Sequence, residues 1–202
     1  MRARTIVLLA VPLALATTDA FAEETPDKTP DKAPYATKSG YAQIFLTAMG
    51  GTGLRFNNPY RLPTPLGSDA ESVSRTAAYV DIGLAATFGS PLGLQHGGAI
   101  RTSVAVHGVG QVVMTPSYFV WRRWSSFAAF GRAGVALPLT PDVTWGLEAS
   151  GGGVWFFLGG VGVVAEIVGD VFYGAGTRDV GTTSYPVLSG QIGFLGSYEV
   201  LP

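Results

Sequence analysis

The sequence has no cysteine among its 202 residues and only two histidines. The absence of cysteine excludes a disulfide framework and any lipid attached to cysteine. Two histidines without cysteine also argue against a transition-metal site. We therefore predict neither a metal nor a cofactor, and stability has to come from burial or from a closed hydrogen-bonded sheet.

Long hydrophobic runs are missing too. The uncharged stretch Ala149–Ala165 has 17 residues and six glycines, so it is too short and too poor in helix formers to span a bilayer. Near the N-terminus the apolar run Ile6–Ala16 has only eleven residues. It follows Arg2 and Arg4 and precedes the small-x-small site Ala20–Ala22, which is typical of a secretory signal.

The chain is expected to divide into three parts. Residues 1–22 form a removed signal peptide, 23–40 a flexible linker, and 41–202 a single domain of 162 residues. The linker prediction depends on its composition: all three lysines of the chain and the near-repeat TPDK-TPDK lie within it.

Charge is scarce beyond that linker. Charged residues make up 13% of the chain, and Tyr41–Pro202 contains eight arginines and no lysine. Removing the signal takes two arginines and Asp19 from 13 basic and 14 acidic residues, which leaves 11 against 13, a net charge of −2. This balance gives no basis for binding nucleic acid. A water-soluble domain would normally carry more charge on its outward faces.

What the domain does contain is period-2 alternation, repeated over segments of about ten residues. In 75–88 one parity holds Arg75 and Asp81, and the other is apolar: Ala78, Val80, Ile82, Leu84, Ala86 and Phe88. A soluble sandwich would bury the apolar parity, whereas a transmembrane barrel turns it toward lipid and the polar parity toward the lumen.

The lipid-facing assignment is favoured because a charge on the lipid face costs roughly 2–4 kcal/mol at the midplane, and the charges keep largely to one parity. Aromatic residues also cluster near the strand ends, as in an interfacial girdle: Phe56, Tyr79, Phe88, Tyr118, Trp121, Trp124, Trp145, Trp155, Tyr173 and Tyr198. We predict an all-β fold, a closed antiparallel up-and-down transmembrane β-barrel.

Turn chemistry delimits eight strands, an even number that leaves both chain ends on one side. The expected segments are 41–56, 73–89, 98–112, 116–123, 127–138, 142–156, 160–173 and 186–200. One turn is expected at Thr115-Pro116, and His96 is expected in a glycine-rich turn. An eight-stranded lumen is filled by side chains or holds one small ligand.

The inward parity carries nearly balanced acids and arginines, which predicts a paired polar plug. The structural network is expected to contain Asp81, Arg101, His107, Arg132, Glu148, Glu166, Asp170 and Glu199. A Pro138–Asp142 turn centred near Thr140 would place Arg132 directly opposite Glu148, close enough to pair.

In these features the chain resembles the small bacterial outer-membrane β-barrel proteins of the outer membrane protein A and X type. The likeness rests on the signal, the alternating segments, the strand–turn–strand Gly131–Ser150 and the last segment Gln191–Val200. It implies a monomer in the outer membrane of a Gram-negative cell, surrounded by outer-membrane lipid and inserted by the barrel assembly machinery. Barrels of this type usually end on an aromatic residue, whereas this chain ends in Leu201-Pro202, which leaves Phe194 and Tyr198 as candidate carriers of the assembly signal.

The function predicted is a structural or surface-interaction role, with an extracellular partner contacted through loops 57–72 and 174–186. Two alternatives stay open, a small ligand-binding or transport barrel and a lipid-modifying outer-membrane enzyme. Ser103 and His107 lie about 13 Å apart along a strand, too far for a nucleophile and its base, so no catalytic residue is predicted. A soluble lipocalin-like barrel would instead bury residues such as Ile82 and Val104.

Overall fold

The structure is a computed structural model, and it describes residues 40–56, 73–108, 110–141, 143–173 and 184–200. All regular secondary structure in these ranges is β-strand. A helix long and apolar enough to cross a membrane is not found in them. The predicted signal peptide and linker, and most of the predicted loops 57–72 and 174–186, lie outside the described residues.

Nine strands occur in the described ranges. In chain order they are β1 (Ala42–Phe56), β2 (Val73–Arg75), β3 (Tyr79–Gly89), β4 (Gln95–Ala105), β5 (Val112–Trp124), β6 (Phe127–Thr140), β7 (Trp145–Leu158), β8 (Val161–Tyr173) and β9 (Ser184–Val200).

Eight of these strands close into an antiparallel barrel. The sheet runs β1-β3-β4-β5-β6-β7-β8-β9, and β9 pairs back onto β1 from Ala42↔Val200 to Arg55↔Val187. The three-residue β2 pairs only with Leu54–Phe56 of β1. Closure removes the open edges that a sheet would otherwise present, and the prediction of an eight-stranded up-and-down barrel is confirmed.

The two ends of the barrel differ. At the terminal end, where Ala42 and Val200 lie, the connections are short: 90–94, 125–126 and 159–160. At the opposite, loop end three of the four connections are longer, and the one between β6 and β7 has four residues. Of this end, residues 76–78, 106–108, 110–111, 141 and 143–144 are described.

The predicted boundary between the third and fourth barrel strands is wrong. Pro116 lies inside β5, opposite Ile100, and the turn comes earlier, after Ala105. The β5–β6 register shifts between Val112 and Val113, and the ladder then pairs Met114 with Leu137 and Ser117 with Gly134, with no pair at Pro116. The proline therefore lies at a gap in the ladder, where no hydrogen bond from its nitrogen to β6 is needed. His96 likewise lies within β4 and not in a turn.

The strands bury one parity and expose the other, and the exposed parity is the apolar one. Large hydrophobic side chains project from the outer wall, among them Leu46, Leu84 and Ile167, which are 59%, 52% and 64% exposed. The inward parity contains buried charged and amide side chains. The barrel therefore has the inverted polarity that the alternation predicted, with apolar side chains on the outer wall and the buried charged side chains inside.

Outward aromatic residues lie near both ends. Trp124 and Trp155 project near the terminal end, and Trp145 stacks on Tyr173 near the loop end with ring centroids 4.6 Å apart. Trp121 departs from the predicted girdle, because it has inward parity and is 0% exposed.

Candidate functional site

Side chains that point into the barrel form three layers. The terminal plug, near the terminal end, is apolar and consists of Phe45, Met49, Phe119, Trp121, Ala128, Val154, Phe156, Val164 and Leu195. The loop plug, toward the loop end, is smaller and consists of Ala136, Phe172, Tyr185 and Val187. Between them lies the central polar layer, formed by Asp81, Arg101, Ser103, Arg132, Glu148, Ser150, Glu166, Asp170 and Gln191.

One half of the central polar layer is organised by Arg132 of β6. Its guanidinium reaches past β7 and donates to both carboxylate oxygens of Glu166 on β8; the Nε–Oε1 distance is 3.0 Å. Gln191 Nε2 donates to Glu166 Oε2 at 2.6 Å. This carboxylate is thus held by three donor groups at a fully buried position, as a buried charge requires.

The other half is organised by Arg101 of β4. Its Nη2 donates across the lumen to Glu148 Oε2 on β7, and its Nη1 lies 3.4 Å from Asp81 Oδ2 on β3. Ser103 Oγ donates to the same Asp81 oxygen at 2.6 Å. Asp81 is 0% exposed, so its charge is compensated by neighbours and not by bulk water.

The predicted pair of Arg132 with Glu148 is wrong. In the β6–β7 hairpin Arg132 lies opposite Ser150, and Glu148 lies opposite Gly134. The turn is centred one residue later than the sequence indicated, which moves each cross-strand partner by two positions. Each arginine instead spans the lumen to an acid on a strand that is not its neighbour, since its side chain is long enough to do so.

Three other residues predicted for the network lie elsewhere or at its margin. Asp170 has inward parity and is half-buried opposite Glu148. Glu199 is exposed at the terminal end, where it accepts a hydrogen bond of 2.8 Å from the Tyr41 hydroxyl. His107 is a correction: it is exposed in the bend after β4, because that strand ends two residues earlier, at Ala105.

Sequence reasoning missed the uncharged polar residues of the lumen. Gln43, Thr87, Gln95, Thr115, Ser189 and Gln191 are all buried on the inward parity. Thr87 Oγ1 donates to Gln95 Oε1 at 2.6 Å near the terminal end. The same period-2 alternation predicts their inward parity, although they carry no charge.

The terminal plug closes the lumen below the polar layer. Phe45 and Trp121 pack with ring centroids 4.5 Å apart. Arg123 lies over Phe156 at 4.0 Å and donates to the carbonyl oxygens of Ser125 and Gly159, both at 2.9 Å. Aromatic rings and a tethered guanidinium thus occupy this end of the lumen.

Space for a ligand is small where the polar layer meets the terminal plug. A cavity of about 20 Å³ lies beside Phe45, Phe119 and Arg132, which is room for about one water molecule. A larger open depression, about 570 Å³, is lined by glycines of β1, β7 and β9 and by the exposed Ile167 and Ile192 of the outer wall. In the described residues no cluster of three His, Cys, Asp or Glu side chains is placed to hold a metal ion.

Comparisons with known proteins return similarities of structure alone. No protein-family model and no curated protein matches the chain. Among solved structures the chain is similar to Ail, the attachment invasion locus protein of Yersinia pestis, with 9% identity, 80% of this chain and 100% of that chain covered, and a TM-score of 0.48.

Two further structures are similar. Neisserial surface protein A shares 10% identity over 76% of this chain and 97% of that chain, with a TM-score of 0.45. A de novo designed transmembrane β-barrel shares 10% identity over 81% of this chain and 99% of that chain, with a TM-score of 0.41. These similarities concern the fold, which the strand order and closure of the barrel establish independently.

Proposed function

We propose that the protein is an integral outer-membrane β-barrel whose lumen is closed by its own side chains and whose role is structural or surface-interacting. The observation that carries the proposal is the inverted polarity of the wall. Among the large outward side chains, Leu46, Ile82, Ile167, Ile192 and Phe194 are each more than half exposed. The charged pairs lie inside, in the central polar layer between the two apolar plugs.

Inverted polarity favours a lipid environment because apolar side chains exposed to water forgo the free energy of burial. Leaving a leucine, isoleucine or phenylalanine in water forgoes about 1.5–3 kcal/mol relative to burying it. The outer wall has many such residues, whereas lipid would bury them all at once. The barrel strands, of 11 to 17 residues, are also long enough to cross the hydrocarbon region when tilted.

The connections support an orientation. Outer-membrane barrels have short periplasmic turns and longer extracellular loops. By that rule the terminal end faces the periplasm, and the loop end, including the predicted loops 57–72 and 174–186, faces the outside. A surface-interaction role would then belong to the loops and not to the lumen.

The layered lumen supports this role over the alternatives. A transport or ligand-binding barrel needs a continuous or ligand-sized lumen, whereas two apolar plugs enclose the polar layer here. A hydrolytic enzyme needs a nucleophile beside a base, but Ser103 donates to Asp81 and His107 lies outside β4.

The proposal is tested by fractionating cells that express the full chain. We expect the protein in the outer-membrane fraction after a carbonate wash, with gel mobility that changes on heating, since a lipid-embedded closed barrel resists both treatments. Recovery in the carbonate-soluble fraction would refute it. A periplasmic protein and a known integral barrel serve as the two fractionation controls.

A further inference from the structure

A charged side chain interrupts the apolar outer wall of the described strands. Among the described residues of the eight barrel strands, Arg122 of β5 is the single Asp, Glu, Lys or Arg with outward parity. It is exposed and lies two residues from the end of its strand, near the terminal end. Its neighbour Arg123 points inward and is tied to backbone carbonyls, so the two arginines have different roles.

Two further polar side chains of the wall, His96 and Tyr118, are in contact with each other and are neighbours of Arg122 in register. Nδ1 of His96 and the hydroxyl of Tyr118 are 2.6 Å apart, and their rings stack with centroids separated by 6.1 Å. His96 pairs with Val120. Arg122 and Tyr118 are therefore the two diagonal neighbours of His96, at about 7–8 Å along the sheet.

Trp124 directs the arginine toward the terminal end. The Arg122 guanidinium carbon lies 5.1 Å from the centre of the Trp124 ring, and Trp124 is the last residue of β5. Arginine and tryptophan side chains together take up the headgroup level of a bilayer, with their apolar parts turned inward. The cation is thus held where lipid phosphates lie and away from the hydrocarbon.

We propose that this group, Arg122 with His96 and Tyr118, is a docking site for an anionic phospholipid of the leaflet at the terminal end. The inference rests on the proposed membrane location. Arg122 supplies a planar set of donors that matches a phosphate. When Nδ1 of His96 accepts from Tyr118, its Nε2–H remains available as a second donor.

Charge complementarity selects lipid over a second copy of the chain. A copy that covered Arg122 with its own wall would need an outward carboxylate, and the described barrel strands have none. A phospholipid supplies the phosphate, and its acyl chains can lie against the apolar wall beside Val120.

The test uses Trp124 as the reporter, in a Trp145→Phe/Trp155→Phe background that leaves Trp124 on the wall and Trp121 shielded in the lumen. The protein is inserted into phosphatidylcholine vesicles containing equal fractions of either dibrominated phosphatidylglycerol or dibrominated phosphatidylcholine, and tryptophan quenching is measured. We expect about a five-fold preference for phosphatidylglycerol, as for one basic side chain at an anionic surface.

Substitutions then distinguish lipid binding at Arg122 from an effect of the protein's overall charge. Arg122→Gln should bring the preference close to one, and His96→Phe should reduce it. Arg75→Gln removes the same charge from β2 beyond the loop end of the barrel and should leave the preference unchanged. Equal quenching by the two lipids, a preference that survives Arg122→Gln, or an equal loss in Arg75→Gln would each overturn the proposal.

Insertion is scored separately, by protease protection and heat-dependent gel mobility. Failure to insert would overturn the proposed membrane location and this site with it. Inserted protein without lipid preference would overturn the site alone. Inserted protein in which neither brominated lipid quenches Trp124 would mean that a second copy covers the wall, which also overturns it.

Discussion

At the scale of single residues, the length of the arginine side chain and the burial of the acids decide which carboxylate each lumenal arginine contacts. Arg101 and Arg132 each cross the lumen to an acid two or more strands away, although other polar side chains lie closer in register. A buried guanidinium gains most from a carboxylate that it can approach with two donors. Arg132 approaches Glu166 in this way, whereas Arg101 donates to Glu148 through Nη2 and also lies 3.4 Å from Asp81 of the neighbouring strand. Geometry across the lumen, more than proximity in sequence, thus sets these contacts.

The Arg132–Glu166 pair gives a prediction at this scale. Arg132→Met alone should destabilise the barrel by about 3–5 kcal/mol, because it leaves a buried carboxylate without its guanidinium. Combining it with Glu166→Gln should recover much of that loss. The measurement is a double-mutant cycle on urea unfolding in lipid vesicles.

The matched control replaces Glu148, the buried acid that Arg132 does not contact. Arg132→Met with Glu148→Gln should show much weaker coupling, since Glu148 bonds to Arg101. Additive effects for Arg132 and Glu166, or stronger coupling to Glu148, would contradict the pairing.

At the scale of the strand, the two faces impose opposite demands on neighbouring residues. Leu84 is 52% exposed on the outer wall, and Ala85 points inward toward the terminal plug. A strand can satisfy both only by strict alternation, so slipping the register by one residue would reverse every side chain.

This opposition predicts different outcomes at adjacent positions of β3. Leu84→Arg should impair insertion by roughly 2–4 kcal/mol, because it puts a charge near the middle of the lipid face. Leu84→Phe and Ala85→Ser should both insert nearly as the parent does. Insertion yield into vesicles measures this, and equal behaviour of Leu84→Arg and Leu84→Phe would argue that the wall does not face lipid.

Adjacent glycines of β4 give a second prediction for a strand. A Cβ at Gly97 would lie 1.8 Å from the Ala86 carbonyl oxygen, whereas one at Gly98 would meet nothing closer than 3.9 Å. Gly97→Ala should therefore cost about 1–3 kcal/mol or more of unfolding free energy through overpacking. Gly98→Ala should be close to neutral in the same urea titration, and a similar cost for both would show that β3 and β4 do not approach so closely.

At the scale of the whole molecule, closure and filling act together. The barrel has no free edge because β9 pairs with β1 along fourteen residue pairs, and its lumen is interrupted by apolar, polar and apolar layers in turn. Small eight-stranded barrels leave about enough interior for side chains. The described residues thus form a closed wall around a lumen filled by side chains.

Solid filling predicts that the protein does not conduct ions. Reconstituted in planar bilayers, it should give no steady conductance, and Trp121→Ala should not create one, because the central polar layer still blocks the lumen above that position. A porin in the same bilayer controls for sensitivity. Reproducible open-channel steps from the parent protein would contradict the layered lumen.

The sequence by itself determined the number of barrel strands, their two faces and most of the strand-forming segments, but not the boundary between the third and fourth barrel strands. Period-2 alternation is local, and the free energy of placing charge in lipid or apolar groups in water acts on each residue separately. Asp81, Arg101, Arg132, Glu148 and Glu166 were predicted as lumenal on that basis.

Tertiary structure decided the registers and the pairs. Because the β6–β7 turn is centred one residue later than the sequence indicates, Arg132 lies opposite Ser150 and Glu148 lies opposite Gly134. A gap in the β5–β6 ladder accommodates Pro116 inside a strand. Trp121 is buried in the terminal plug, and His107 lies two residues after the end of β4. The registers and the contacts across the lumen depend on how strands that are distant in sequence align when the barrel closes. A local sequence pattern carries no information about that alignment.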